Sequence, residues 1–356
     1  MRALLLGVLA SGCGAAPSLP HGTDAASCGT CHATQLETWR TSAHARGTAS
    51  PVFQALLPRV EAAWGAAARQ QCVSCHAPAH GGDDVVSCVS CHGATGNRGA
   101  KNGALVVDLE QPLASTKTRV QNDAHAVAPR GLLTSASLCG TCHEVHGPGL
   151  FDERTLTEFR STDGEDSCLS CHGVGGVDGH RFAGVDPAWG APSAERAEAD
   201  GRGRALWAKG LALSVEAEGQ GVRVTLTNQA RHAVPTGVAM LRDVWVALEV
   251  HDATGTVVDV PRLFDLRAAL ERDGLPVALI TDASRVTTGA LDPRASRSMR
   301  WTRPVGVSGA LEVHVIVRAR AIRDDVLEAL ALQGRGDEVT THEVARRTVR
   351  LPAVQE

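Results

Sequence analysis

"SCGTCHATQLETWRTSAHARG", residues 27–47, carries Cys28 and Cys31 in a C-x-x-C pair, His32 directly behind them, and a further histidine, His44. The C-x-x-C-H pattern returns at Cys72, Cys75 and His76, at Cys88, Cys91 and His92, at Cys139, Cys142 and His143, and at Cys168, Cys171 and His172. Five copies take ten of the eleven cysteines. Two thiols and an adjacent imidazole are the attachment signature of c-type haem. The thiols bond to the two vinyl groups, and the histidine becomes the proximal ligand of the iron. Tetrahedral zinc would require the cysteine pairs to combine two by two, which an odd number of copies does not allow. Neither zinc, a redox dithiol nor a disulfide explains a histidine after every second cysteine. The pattern implies five covalently attached haems with their irons.

The remaining cysteine is Cys13, in "MRALLLGVLASGCG". Arg2, a short apolar run and small residues before Cys13 read as a secretory signal too short to span a bilayer. Residues 1–13 are therefore expected to be a lipoprotein-type signal, with Cys13 lipidated. Ala10 stands where such boxes usually carry leucine, and ordinary cleavage within "GAAPSLP" is the alternative. Either route exports the chain to the periplasmic side of a bacterial membrane. Gly14 after Cys13, without an aspartate there, favours the outer membrane. The formal net charge of −4 and the lack of a basic run make nucleic acid an unexpected partner.

Composition divides the chain. Residues 14–205, rich in Gly, Ala, Ser, His and Cys, lack the apolar surface to fold alone, so covalent macrocycles are expected to supply their core. That half is expected to be mostly helical or irregular, and largely unfolded without haem. Residues 206–356 change to period-two alternation. Val222, Val224 and Leu226 share one face, as do Val244, Val246, Leu248 and Val250, and again Leu311, Val313, Val315 and Val317. With turns between them, these stretches predict an antiparallel β-sandwich. "SAERAEADGRGRALWAKG" (193–210) reads as a polar helix or linker, and "DDVLEALAL" (324–332) as one short helix.

The second axial ligand decides whether a haem only relays electrons or holds an open site. Apart from Met1, the methionines are Met240 and Met299, so hexacoordinate haems here should be bis-histidine and low in potential. "TQLETWRTSAHA" has helical spacing. A helix starting at His32 would carry His44 roughly 18 Å along its axis, which assigns His44 to a neighbouring haem. His143 and His146 are too close in sequence to face one iron from opposite sides, and so are His76 and His80. His251 and His314 alternate with core-facing valines and belong on a strand's outer face.

"CGTCHATQLETWRTSAHARG" resembles the first haem segment of the multihaem c-type cytochromes, the superfamily that contains the tetrahaem electron acceptor of hydroxylamine oxidoreductase. "VVSCVSCHG" resembles that group's second or third site. "SLCGTCHEVHGPG" with "TLTEFRST…DSCLSCHGVGGVDGHRFAG" is similar to its later pair, ending in an H-x-F-x-G ligand segment. "LTNQARHAVPTGVAMLRDVWVALEV" resembles the N-x-x-x-x-H-x-x-P-T-G motif of the β-domain that often follows. The resemblance implies His44, His125, His180 and His232 as distal ligands. For His125 the plain alternative is an ordinary loop histidine. If His232 reaches a haem, the β-domain is a lid over the array. His80, His146 and His21 compete for the fifth distal place, with His80 taken as the ligand.

Two functions remain in play. The first is a non-enzymatic electron carrier with redox partner proteins and a lipid tether to the membrane. The second is an oxidoreductase acting on a small nitrogen or sulfur compound at one five-coordinate haem. All five motifs are ordinary, with no lysine-ligated variant. The chain also has no tyrosine, which hydroxylamine oxidoreductases and pentahaem nitrite reductases place at their active haem. Both features favour the carrier. His80 as a distal acid would favour the enzyme.

Overall fold

The computed structural model describes residues 22–79, 85–118, 124–164, 167–173 and 176–354. Residues 1–13 with Cys13, and also His21 and His80, lie outside the described residues.

The C-terminal region is built on the alternation. Strands Leu211–Glu218 and Gly221–Asn228 form a hairpin whose turn uses Gly219 at φ +58°, a conformation that glycine adopts without a Cβ penalty. Ser296–Thr302 adds to the other edge of Gly221–Asn228, completing a three-stranded antiparallel sheet. In the five-stranded sheet, Leu311–Arg320 pairs with Asp243–Asp252 on one side and Thr341–Leu351 on the other. The turn after Asp252 closes because its Oδ1 accepts from the backbone N–H of Thr254 and of Thr256. Both sheets turn apolar residues into one cluster. Val222, Val224, Leu226, Val244, Val246, Val250, Val313, Val315 and Val317 are each 0% exposed, and Leu248 1%. Each such side chain contributes about 1.5–3 kcal/mol when fully buried.

The N-terminal half is different in kind. Its helices are short, and its buried apolar residues are mainly alanines: Ala25, Ala68, Ala77, Ala79, Ala94, Ala114, Ala183, Ala188 and Ala191. Helix Pro51–Trp64 starts with proline in its first turn and stops at Gly65, φ +85°. Val52 from this helix and Trp189 enter a second cluster whose other members, among them Leu241, Leu270, Leu279, Ile322 and Leu327, come from the C-terminal region. The haem half thus borrows its aliphatic contacts. Polar helix Ser193–Gly210 runs without a break across the 205/206 boundary, burying Gly203 and Trp207, and continues straight into strand Leu211–Glu218. The short helix near the C-terminal end spans Asp324–Ala329.

One local expectation is corrected. The helix after His32 spans only Ala33–Trp39, and His44 opens a separate 3-10 turn, His44–Arg46. Thr38 and Thr41 explain the break: their hydroxyls donate to Gln35 O and Thr38 O, competing with the helical ladder. His44 is therefore not carried along a continuous axis.

Candidate haem sites

Each C-x-x-C-H motif is one helical turn. His32 N–H donates to Cys28 O and His143 N–H to Cys139 O, both at 2.9 Å. Cys72–His76 ends helix Ala66–His76, while Cys88–His92 and Cys168–His172 are helices of their own. Cysteines three apart on a helix share a face, with the histidine beside them one turn on, so both thiols and the imidazole would hold the same haem.

The residue before each second cysteine holds that turn. Thr30, Ser74 and Thr141 donate their hydroxyls to Ser27 O, Gln71 O and Ser137 O. Ser90 and Ser170 instead accept from the backbone N–H of Ser87 and Ser167 in capping boxes. Sequence reasoning passed over these five residues. The signal was available, since a serine or threonine stands at that position in all five copies.

The imidazoles come together in pairs. Ring centroids lie 6.3 Å apart for His32 and His125, 6.4 Å for His143 and His44, 6.1 Å for His92 and His180, and 6.2 Å for His172 and His232. A shared metal asks for this spacing. Metal–nitrogen bonds of about 2 Å on either side, with the depth of each ring, put the centroids roughly 6 Å apart. The donors fit haem iron in ring orientation as well. Nδ1–H of His76, His92, His172 and His232 donates to the carbonyls of Gly47, Ala114, Ala183 and Ala233, at 3.0, 2.8, 2.7 and 2.9 Å. This fixes the tautomer and leaves the Nε2 lone pair for the metal. Burial pushes His44 down to about 4 and also holds His76, His172 and His232 below the ordinary imidazole value, so these rings are neutral donors near pH 7.

His143 departs from that pattern. Burial alone would lower it, yet the Glu153 carboxylate, 3.3 Å from its Nδ1, raises it above its ordinary value. The His143 side chain keeps 55% of its surface accessible.

His76 has a phenyl neighbour: Phe53 stacks on its ring at 4.1 Å. Among the described residues no imidazole stands opposite His76 at the spacing of the four pairs. His146 is engaged elsewhere, with Nδ1 bonded to Asp152 at 2.7 Å and Nε2 to Glu144 at 3.1 Å. Met240 is buried in the second core cluster, and Met299 is 42% exposed on a strand. His251 and His314 meet edge to face on the sheet side away from the core.

The motifs crowd together. Cys75 lies beside Cys142 and Cys139 beside Cys168, which puts the fourth motif between the second and the fifth. Among the described residues no three His, Cys, Asp or Glu side chains converge as a bare-ion site, so the cysteine pairs do not assemble into the four-ligand sets zinc would use. Phe182, at φ +40°, lies 5.0 Å from His44 and 6.0 Å from His180, joining two of the pairs.

His232 reaches His172 because the loop after strand Gly221–Asn228 is clamped at both ends. Asn228 Nδ2 donates to the carbonyls of His232, Leu291 and Asp292. Arg231, 9% exposed, donates to Thr162 Oγ1 and to the carbonyls of Phe159, Thr162 and Gly164, with its guanidinium 4.0 Å over the Phe159 ring. Gly164, at φ +144°, is required there: a Cβ would come within 2.9 Å of Arg231 Nη1.

Residues 27–93 match the family model described as cytochrome c554 and c-prime. The whole fold is similar to that of the penta-heme cytochrome c552 from Thermochromatium tepidum, with a TM-score of 0.70 at 18% identity, covering 93% of this chain and 99% of that one. No curated protein matches the chain by sequence. The five motifs, the match over residues 27–93 and the fold together support a multihaem c-type cytochrome.

Proposed function

We propose that the chain carries electrons through five closely packed haems, four of them capped by histidine pairs. The observation that carries this is the set of four imidazole pairs at 6.1–6.4 Å. Each joins the histidine of one motif to a histidine from another segment. The protein's part is to hold the irons close, fix both ligands and exclude other chemistry. Cys28, Cys31, Cys72, Cys75, Cys88, Cys91, Cys139, Cys142, Cys168 and Cys171 would make the thioether bonds. Haem supplies a one-electron ferric/ferrous couple, and the chain's residues set its potential through ligation and burial.

The two sheets of the C-terminal region are read as a β-sandwich closing over the array through His232. Residues 1–13, the attachment chemistry and Cys13 support an exported, lipid-tethered cytochrome on the periplasmic side of an outer membrane, exchanging electrons with partner proteins. Among the described residues no helix is long and apolar enough to cross a membrane.

A second reading rests on His76. With no imidazole opposite it among the described residues, the iron over His76 is the one at which a small nitrogen or sulfur compound would react. The test is to add cyanide and then nitrite to oxidised holoprotein and follow the spin state. A carrier with every iron capped stays unchanged. A high-spin signal that converts on ligand addition, and disappears in a Cys72→Ala/Cys75→Ala variant, supports the second reading.

A further inference from the structure

The proximal imidazoles are not held alike. Those of His76, His92 and His172 donate to backbone carbonyls, whereas His143 donates to the carboxylate of Glu153. Glu153 is 7% exposed, and among the described residues no lysine or arginine pairs with it. It is placed by chain geometry: Val145–His146 and Asp152–Glu153 pair antiparallel, with Val145 opposite Glu153, so the segment leaving the fourth motif folds straight back onto it. Gly237, from the loop that follows His232, closes over it; a Cβ there would lie 3.6 Å from Glu153 Oε1.

We propose that Glu153 tunes the haem held by Cys139, Cys142 and His143, making its iron the lowest in potential of the array. This rests on the reading that His143 and His44 share an iron. A carboxylate accepting Nδ1–H draws the proton away from the ring, and the imidazole becomes a stronger donor to its metal. Stronger donation stabilises the ferric state. A buried negative charge close to the iron further opposes the incoming electron, because little solvent screens it. A backbone carbonyl offers only a dipole, so His76, His92 and His172 lack both effects. Cys142 lies beside Cys75 and Cys139 beside Cys168, so this motif sits between the second and the fifth. An electron crossing from the second motif's haem to the fifth's climbs at the midpoint, and the array behaves as two reservoirs separated by a step.

The experiment is a potentiometric titration of the holoprotein, with electron paramagnetic resonance recorded at each potential. Wild type is compared with Glu153→Gln and with Glu144→Gln. Glu144 is the control: it is 3% exposed and adjacent to His143 in sequence, but it bonds His146 and Thr157. In Glu153→Gln the low-spin count should hold. The lowest wave alone should rise, its ferric-to-ferrous ratio at fixed potential changing tenfold or more, which is 59 mV for a one-electron couple. A merely structural role would lower thermal stability or change the spin count without moving one wave. The proposal is overturned if no wave moves, if the wave that moves is not the lowest, or if Glu144→Gln moves it equally. Should Glu153→Gln fail to assemble, Glu153→Asp, which keeps the charge but lengthens the bond, should move the same wave less; an unmoved wave overturns the proposal. His44→Ala separates the two readings. If it costs no low-spin signal, the shared iron is wrong whatever Glu153 does.

Discussion

The two halves of this chain reach order by different means. In the C-terminal region two sheets bury valines and leucines against each other to 0–9% exposure, enough apolar surface to hold a fold from the sequence alone. In the N-terminal half the buried apolar residues are chiefly alanines, and its aliphatic contacts are shared with the other half. Imidazole pairs join distant segments: His44 with His143, His125 with His32 and His180 with His92 inside that half, and His232 from the C-terminal region with His172. Metal–ligand bonds across such gaps can do what side-chain burial does elsewhere, since binding free energy at a site that does not exist in the unfolded chain is folding free energy.

The strongest break of that comparison is to withhold haem. With all ten motif cysteines changed to alanine, residues 22–190 should lose hydrogen-exchange protection while strands between 211 and 351 keep theirs. Equal protection in both halves would erase the distinction. Next comes Leu248→Ala, at a side chain 1% exposed, which should cost about 2–5 kcal/mol in denaturant unfolding followed through Trp207 and Trp301. The low-spin signals of the still-folded protein should not change.

Arg231→Leu is a smaller perturbation that touches both halves. It removes the hydrogen bonds tying the His232 loop to residues 159–164, costing about 1–3 kcal/mol, and should give one haem, that of His172, a mixed spin state. An unmixed spectrum would mean that Asn228, with the Glu158 bonds to Ala233 and Thr236, suffices to position His232.

The smallest effect is expected at the ion pair between Asp186 and Arg242, 2.6 Å long, which joins the end of the haem half to the C-terminal region. Burial raises the Asp186 carboxyl, but the Arg242 guanidinium outweighs it and leaves it below the usual value. Such a group contributes stability above its unfolded pKa, near 4, and loses it as the pH falls through the depressed folded value. Asp186→Asn should therefore cost about 1 kcal/mol at pH 7 and progressively less in acid. A deficit independent of pH would contradict that assignment.

Much of this was legible in residue types and periods. Period two placed Val222, Val224, Leu226 and their partners on core faces, and C-x-x-C-H singled out the five histidines that the proposal uses as proximal ligands. Distances between segments were not legible. Nothing local in "NDAHAVAPR" distinguishes a ligand from a loop histidine, because the position of His125 opposite His32 is set by the path of the intervening chain. The helix after His32 was overextended, since apolar spacing was counted and the competing hydroxyls of Thr38 and Thr41 were not. Glu153 escaped because a carboxylate ten residues past a histidine has no signature. It becomes visible only when two short strands fold it back.

The most direct test of the central claim is the electron paramagnetic resonance spectrum of the oxidised holoprotein, integrated against haem and protein content. The account predicts five haems per chain, with at most one iron, that over His76, in the high-spin state. Two or more high-spin irons, or a haem count other than five, would contradict it.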